Sequence, residues 1–167
     1  SAFLVSLGFY CIRADTSLFV FKWGSILLYL PIYVDNIILT GNNSSLIRSF
    51  INRLNGEFSI KDLGQLSYFL GLEASYTNNG LFLTQAKYAH DILTRAGLLE
   101  SKPVSTPLHA TDQLLSDGAH FSDPTLYWSL VGALQYLTIT RPNLSYAVNQ
   151  VSQFLQAPSV SHFQSVK

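Results

Sequence analysis

Tyr33-Val34-Asp35-Asn36 is a short polar break between two apolar runs, Ile26-Leu27-Leu28-Tyr29-Leu30-Pro31-Ile32 before it and Ile37-Ile38-Leu39-Thr40-Gly41 after it. Runs of this length and composition read as strands, and the break between them reads as a hairpin tip. An Asp at such a tip is costly to place unless it meets water, a partner or a cation. A hairpin would present the Asp35 carboxylate at a sheet edge, where a metal could reach it.

Working outward, 18–21, 26–34 and 37–40 form an antiparallel meander, with Trp23-Gly24 turning the first strand into the second. Pro31 has no N–H for a ladder, so it is expected at an edge or a bulge. Ala2-Phe3-Leu4-Val5 followed by Gly8 reads as the end of a helix. Asn43-Ser44-Ser45 offers caps for a helix with Leu46, Ile47, Phe50, Ile51 and Leu54 on one face, and Gly56 is its expected stop. Residues 68–76 and 81–83 flank Thr77-Asn78-Asn79-Gly80, where the Asn-Gly pair is expected to supply the positive φ angles of a tight hairpin.

Residues 85–96 form the next helix, with Ala89, Ile92, Leu93 and Ala96 on one face and Gly97 closing it. A polar loop containing Pro103 and Pro107 runs to Asp123-Pro124, a cap followed by a first-turn proline. Leu126, Leu130, Val131, Leu134 and Leu137 form the buried face of the helix that follows. Arg141-Pro142 breaks it, and Leu144, Ala147, Val148, Val151, Phe154 and Leu155 mark another. Residues 159–167 read as a third helix cut in mid-course. The fold class expected is α+β, strand-rich in its first half and helical in its second.

The 167 residues suffice for one core. Charged residues make up 12% of the chain and balance to a net charge of zero, against ~25% in ordinary soluble domains. With a positive mean hydropathy, this suggests a piece that buries surface against something larger. The total lack of methionine also points to an excerpt. Zero net charge argues mildly against a free-standing nucleic-acid binder. The single cysteine, Cys11, excludes an internal disulfide and a thiolate zinc cluster, and fits a reducing compartment. No secretory signal opens the chain, and the apolar run 23–34 is too short for the ~20 residues of a membrane span. An intracellular location, cytoplasmic or nuclear, is expected. His90, His109, His120 and His162 lack zinc-ligand spacing, and neither a nucleophile elbow nor a P-loop is present.

Six ordered blocks stand out: Ala14-Asp15-Thr16-Ser17-Leu18-Phe19, then 33–41, then Lys61-Asp62-Leu63-Gly64, then Phe69-Leu70-Gly71-Leu72-Glu73, then Leu83-Thr84-Gln85-Ala86-Lys87-Tyr88, then 130–138 leading into Thr140-Arg141-Pro142. Together they resemble the reverse transcriptase of copia-type LTR retrotransposons, part of a Pol polyprotein. The resemblance implies a partial polymerase palm over 1–84, followed by a helical thumb or connection region over 85–167. It implies RNA-directed DNA polymerisation with magnesium ions held by carboxylates. The partners it implies are a nucleic-acid template–primer, a dNTP and the rest of the Pol polyprotein.

By that resemblance Tyr33, Asp35 and Asn36 occupy the polymerase hairpin, with Asp35 as the metal ligand. Asn36 stands where the family has a second acid, and the family's third carboxylate lies on a strand upstream of Ser1. An amide carries no negative charge, so this copy is expected to be inactive. Pro31, Trp128 and Asn143 are further departures, each within one base transition of the family residue.

For several residues two readings stand side by side. Asp35 and Asn36 serve equally as turn residues, and Tyr33 as a sheet aromatic. Phe69, Leu70 and Gly71 mirror a segment that cradles the primer end, or simply pack a hairpin. Lys87, Arg95 and Lys102 either touch a nucleic-acid backbone or are ordinary surface charge. Arg141 is expected to cap the carbonyls of the preceding helix. The alternative function is a non-catalytic remnant or interaction module, and a further possibility is a chain whose strands 18–21 and 26–34 stay exposed and aggregate.

Overall fold

The computed structural model describes residues 2–34, 36–104, 108, 114 and 118–167. Asp35, Pro107 and His109 lie outside the described residues. The chain is mixed α/β, with antiparallel sheets and helices, and divides into two compact units, Ser1–Leu66 and Ser67–Lys167. The division by packing falls before the second hairpin, whereas the functional boundary expected from the family falls at 84/85. No helix of the described residues is long and apolar enough to cross a membrane.

The first unit opens with α1 (Ala2–Ser6) and continues through β1 (Tyr10–Cys11), β2 (Leu18–Trp23), β3 (Ile26–Tyr33), β4 (Asn36–Ile37) and β5 (Thr40–Gly41) to α2 (Ser44–Glu57). β3 is central: it pairs with β2 on one side and with both β4 and β5 on the other, all antiparallel. The pairs Ile32↔Ile37 and Leu28↔Gly41 share one register, so β4 and β5 are a single strand with a gap. Pro31 makes the gap. It is not at an edge, as expected, but inside the central strand. Its carbonyl accepts Ile38 N–H at 3.1 Å, and it has no N–H to return the bond.

Alternation along β3 buries Leu28 and Leu30 and leaves Tyr29 and Tyr33 exposed. With Phe19 they pack against Leu4 of α1 and Phe50 and Leu54 of α2. Phe9, Phe21 and Phe50 meet with ring centroids 5.0 to 5.6 Å apart, at the tilted and edge-on angles aromatic pairs prefer. Strands 18–21 and 26–34 are therefore not left open, because Phe19, Val20, Leu28 and Leu30 are all buried. Asp15 turns the chain into β2: its carboxylate accepts the Ser17 hydroxyl at 2.6 Å and the Ser17 N–H at 2.9 Å. Those two bonds hold its carboxyl below the usual range.

Asn43 caps α2 through its side chain, accepting Leu46 N–H at 2.9 Å. Gly56 does not stop the helix. Glu57 is still helical, and Phe58 ends it by going extended while its N–H reaches Leu54 O at 2.8 Å.

The second unit carries β6 (Tyr68–Phe69), β7 (Leu72–Thr77) and β8 (Gly80–Thr84) in an antiparallel sheet. Then come α3 (Ala86–Ala96), α4 (Pro124–Leu137), a 3-10 turn over Pro142–Leu144, α5 (Ser145–Ser152) and α6 (Val160–Val166). The β7–β8 hairpin is present, but its two loop residues are Asn78 and Asn79, neither with positive φ. Gly80, already paired with Thr77, takes φ 138° instead. Gly97 closes α3 at φ 68°, and Asp123 caps α4 by accepting Leu126 N–H at 3.0 Å. Serine caps α6: Ser159 and His162 form a reciprocal capping box. Thr138, Thr140 and Arg141 satisfy the last carbonyls of α4 with their backbone N–H groups. The Arg141 guanidinium was expected to do this and makes no hydrogen bond among the described residues.

Leu130 and Leu137 of α4 pack with Ile92 of α3, while Tyr127 and Val131 pack with Val151 of α5. Tyr127 is fully buried and donates its hydroxyl to Val151 O at 2.7 Å. Burial pushes its phenol up to about 12 from 10.0.

Two predictions follow from the packing. A Cβ on Gly41 would lie 2.4 Å from Leu27 O and 2.3 Å from Leu28 Cδ2. Gly41→Ala is therefore expected to destabilise the first unit by about 2 kcal/mol or more, measured in urea; a neutral result would mean that β3 and β5 part easily. Because the folded pKa of Tyr127 is raised, its contribution is complete below pH 10.0 and is lost as pH rises toward about 12. Tyr127→Phe should flatten that alkaline fall in thermal stability, and an unchanged slope would contradict the assignment.

Candidate functional site

Tyr33 and Asn36 face each other as the last cross-strand pair of β3 and β4. That pairing leaves two positions between the strands, the first of them Val34. Such loops favour primed turns, which need a positive φ at the first loop position, and Val34 has φ 53°. A β-branched residue rarely adopts this conformation, which costs an L-residue ~1–2 kcal/mol. Its side chain is 87% exposed, so packing does not hold it there. Tyr33 is half exposed at 52%, and Asn36 is exposed as well. Asp35, the expected metal ligand, lies outside the described residues. Among the described residues, no group of three or more His, Cys, Asp or Glu comes together.

Phe69, Leu70 and Gly71 belong to the second unit and are built by a second two-residue loop. Phe69 pairs with Leu72 across β6 and β7, so Leu70 and Gly71 form the turn, with φ 50° and 84°. Leu70 is the other non-glycine residue with positive φ among the described residues. Gly71 is buried, and a Cβ there would meet Tyr136 and Tyr88 at 3.4 Å each. Those two rings form an edge-to-face pair at 5.2 Å and 84°. Tyr136 also donates its hydroxyl to Leu70 O. The close backbone approach that Gly71 permits is thus to the protein's own α3 and α4, as hairpin packing requires.

Neighbouring residues extend this contact. Gln85, 3% exposed, accepts the Thr140 hydroxyl at 2.8 Å and reaches Tyr136 O at 3.5 Å. The side chain of Gln85 gives α3 no cap. Glu73 of β7 does so instead, accepting Lys87 N–H at 2.8 Å at an end where the helix dipole favours an anion. Lys87 places its Nζ 5.7 Å from the centre of the Tyr68 ring, and Arg95 donates to Ser129 Oγ at 2.8 Å. Both cations are therefore engaged within the protein. Tyr88, Gln85, Tyr136 and Thr140 lie in the sequence blocks that carry the family resemblance. Their roles were missed because they are brought together from far apart in the chain; the buried-glycine turn was the available signal.

A model of the family described as reverse transcriptase (RNA-dependent DNA polymerase) matches residues 1–110. The chain belongs to this family. It is 43% identical over 166 residues to the retrovirus-related Pol polyprotein from transposon RE1 of Arabidopsis thaliana, covering 99% of this chain and 11% of the polyprotein. It is 47% identical over 140 residues to an uncharacterized mitochondrial protein of the same plant, covering 84% of this chain and 58% of that protein. The tobacco retrovirus-related Pol polyprotein from transposon TNT 1-94 is 33% identical over 151 residues. This reverse transcriptase segment thus spans about a tenth of the Pol polyproteins it matches and just over half of the mitochondrial protein. No solved structure matches it significantly. The resemblance read from the six blocks holds along nearly the whole chain.

The strained loop gives a direct test. Val34→Asn, which tolerates the left-handed conformation, is expected to raise stability by about 0.5–1 kcal/mol in urea. No gain would mean that the tip is relaxed.

Proposed function

We propose that the chain is a segment of a copia-type RNA-directed DNA polymerase whose catalytic centre no longer completes its metal site. In this reading residues 1–84 supply part of the palm and 85–167 a helical thumb or connection region. The observation that carries it is the Tyr33↔Asn36 pair, which closes a two-residue loop with an amide at the family's second acid position.

Magnesium takes hard oxygen ligands and depends on carboxylate charge. At this hairpin the donor set is one carboxylate, Asp35, and one neutral amide oxygen, Asn36. That set does not fit two dications, and no catalytic step is derived through them. Template–primer binding does not require the same charge, so nucleic acid stays the partner, alongside the rest of the Pol polyprotein.

A non-catalytic interaction module is the second reading. It is favoured by Leu81, Phe82 and Leu83, which are all exposed on β8 at the end of the β6-β7-β8 sheet.

Extension of a recessed primer by the purified chain, with magnesium or manganese and all four dNTPs, tests the first reading. No extension is expected, together with measurable binding of the duplex. Extension above background would overturn the loss of chemistry, and absence of duplex binding would leave the interaction module.

A further inference from the structure

We propose that β8 is the docking surface for a second copy of this chain, the two strands pairing antiparallel about Phe82 so that two three-stranded sheets join into one. The inference rests on the interaction-module reading, whose partner at β8 it names, and does not depend on whether the chain extends a primer.

β8 is an edge strand: it pairs with β7 on one side and, among the described residues, with no strand on the other. Exposed edges are ordinarily guarded by a charge, a proline or a bulge. Gly80-Leu81-Phe82-Leu83-Thr84 carries neither charge nor proline. Its ladder with β7 runs without a bulge from Thr77↔Gly80 to Glu73↔Thr84. Leu81, Phe82 and Leu83 are 51%, 62% and 43% exposed.

The symmetry of the strand selects its occupant. Leu81-Phe82-Leu83 reads the same in both directions. An antiparallel copy centred on Phe82 therefore sets Phe82 opposite Phe82, and Leu81 opposite the partner's Leu83. Main-chain geometry agrees with this register. The two-residue loop makes Thr77↔Gly80 a hydrogen-bonded pair, and such pairs alternate along an antiparallel ladder. Gly80, Phe82 and Thr84 thus bond β7, and the N–H and C=O groups of Leu81 and Leu83 point away from it. Centred on Phe82, those outward groups meet one another, with the two aromatic rings between them at the closer cross-strand spacing. On the opposite face Tyr76, the half-exposed neighbour of Leu81 across β7 and β8, extends the apolar row. The far edge of each sheet is β6, only two residues long, so the pairing closes at two copies.

The test uses the full chain. Sedimentation across the micromolar range should show a concentration-dependent dimer. Phe82→Lys sets like charges opposite each other and removes the aromatic pair, and should weaken association about tenfold or more. Because Phe82 is exposed, this variant should keep the wild-type urea transition. The register is read by cross-linking in a Cys11→Ser background, which removes the native thiol. Phe82→Cys would place two cysteine Cα atoms ~4.5 Å apart, within disulfide reach, and Leu81→Cys roughly 8 Å apart, beyond it. Mild oxidation should therefore yield about tenfold more covalent dimer from Phe82→Cys than from Leu81→Cys. A monomeric wild-type chain, undiminished association of Phe82→Lys, or equal cross-linking of the two cysteine variants overturns the proposal. The interaction-module reading is decided separately, by primer extension and duplex binding, so the two can fail independently.

Discussion

Leu28 and Leu30 reach the core of the first unit only because β3 pairs with β2 and with β4 and β5 in one register. Side chains alternate between the faces of a strand, so a slip by one residue would carry both leucines to the open face and turn Tyr29 inward. Two residues well away from the hairpin tip guard against that slip. Gly41 sits so close to Leu27 and Leu28 that no side chain fits. Asn42 accepts Leu27 N–H at 2.9 Å and donates to Ser25 O at 2.7 Å. Once this register is set, Val34 has no choice but to fall in the turn between Tyr33 and Asn36. The position of the candidate catalytic hairpin is thus a consequence of core packing, not of anything at its tip.

The second unit reaches a comparable geometry by a different route. In each unit a two-residue loop at a candidate site contains a residue other than glycine in the left-handed region, Val34 or Leu70. Such conformations persist only where the surroundings over-determine them. At Val34 the side chain is exposed and the determination comes from the strands on either side. At Leu70 it comes from outside the hairpin, through the Tyr136 hydroxyl and the tyrosine pair around Gly71. The strain marks both loops, and its different support makes the second one sensitive to α4, a helix far away in sequence.

What was legible in the sequence was local. Asn43, Asp123, Ser159 and Gly97 act at the helix ends where capping rules put them. The meander and the β7–β8 hairpin follow from alternation and turn residues, whereas the single strand expected over 68–76 is split by the Leu70-Gly71 turn into β6 and β7. The misreadings share a cause: a local rule met a partner that it could not see. Pro31 is expected at an edge or a bulge because it lacks an N–H, yet β3 tolerates it inside the sheet by giving up one bond to Ile38. Tyr127 is not among the residues expected on the buried face of α4, and it is buried with the Val151 carbonyl receiving its hydroxyl. Gln85 and Thr140 read as polar punctuation and instead satisfy one another beneath the Leu70-Gly71 turn. The proposed palm and thumb roles come only from the family resemblance, because such roles describe what a surface meets and not how it packs.

Asn36 shows why fold and chemistry can separate at such a site. Its ladder with Tyr33 runs through main-chain groups, which are identical for Asn and Asp. It lies exposed, so neither side chain would be desolvated there. The two residues differ by one negative charge, which matters most to a divalent cation held by carboxylates. A hairpin of this kind can keep its register and its family signature with either residue at position 36, so the backbone carries the family while the proposed loss of chemistry turns on a single charge.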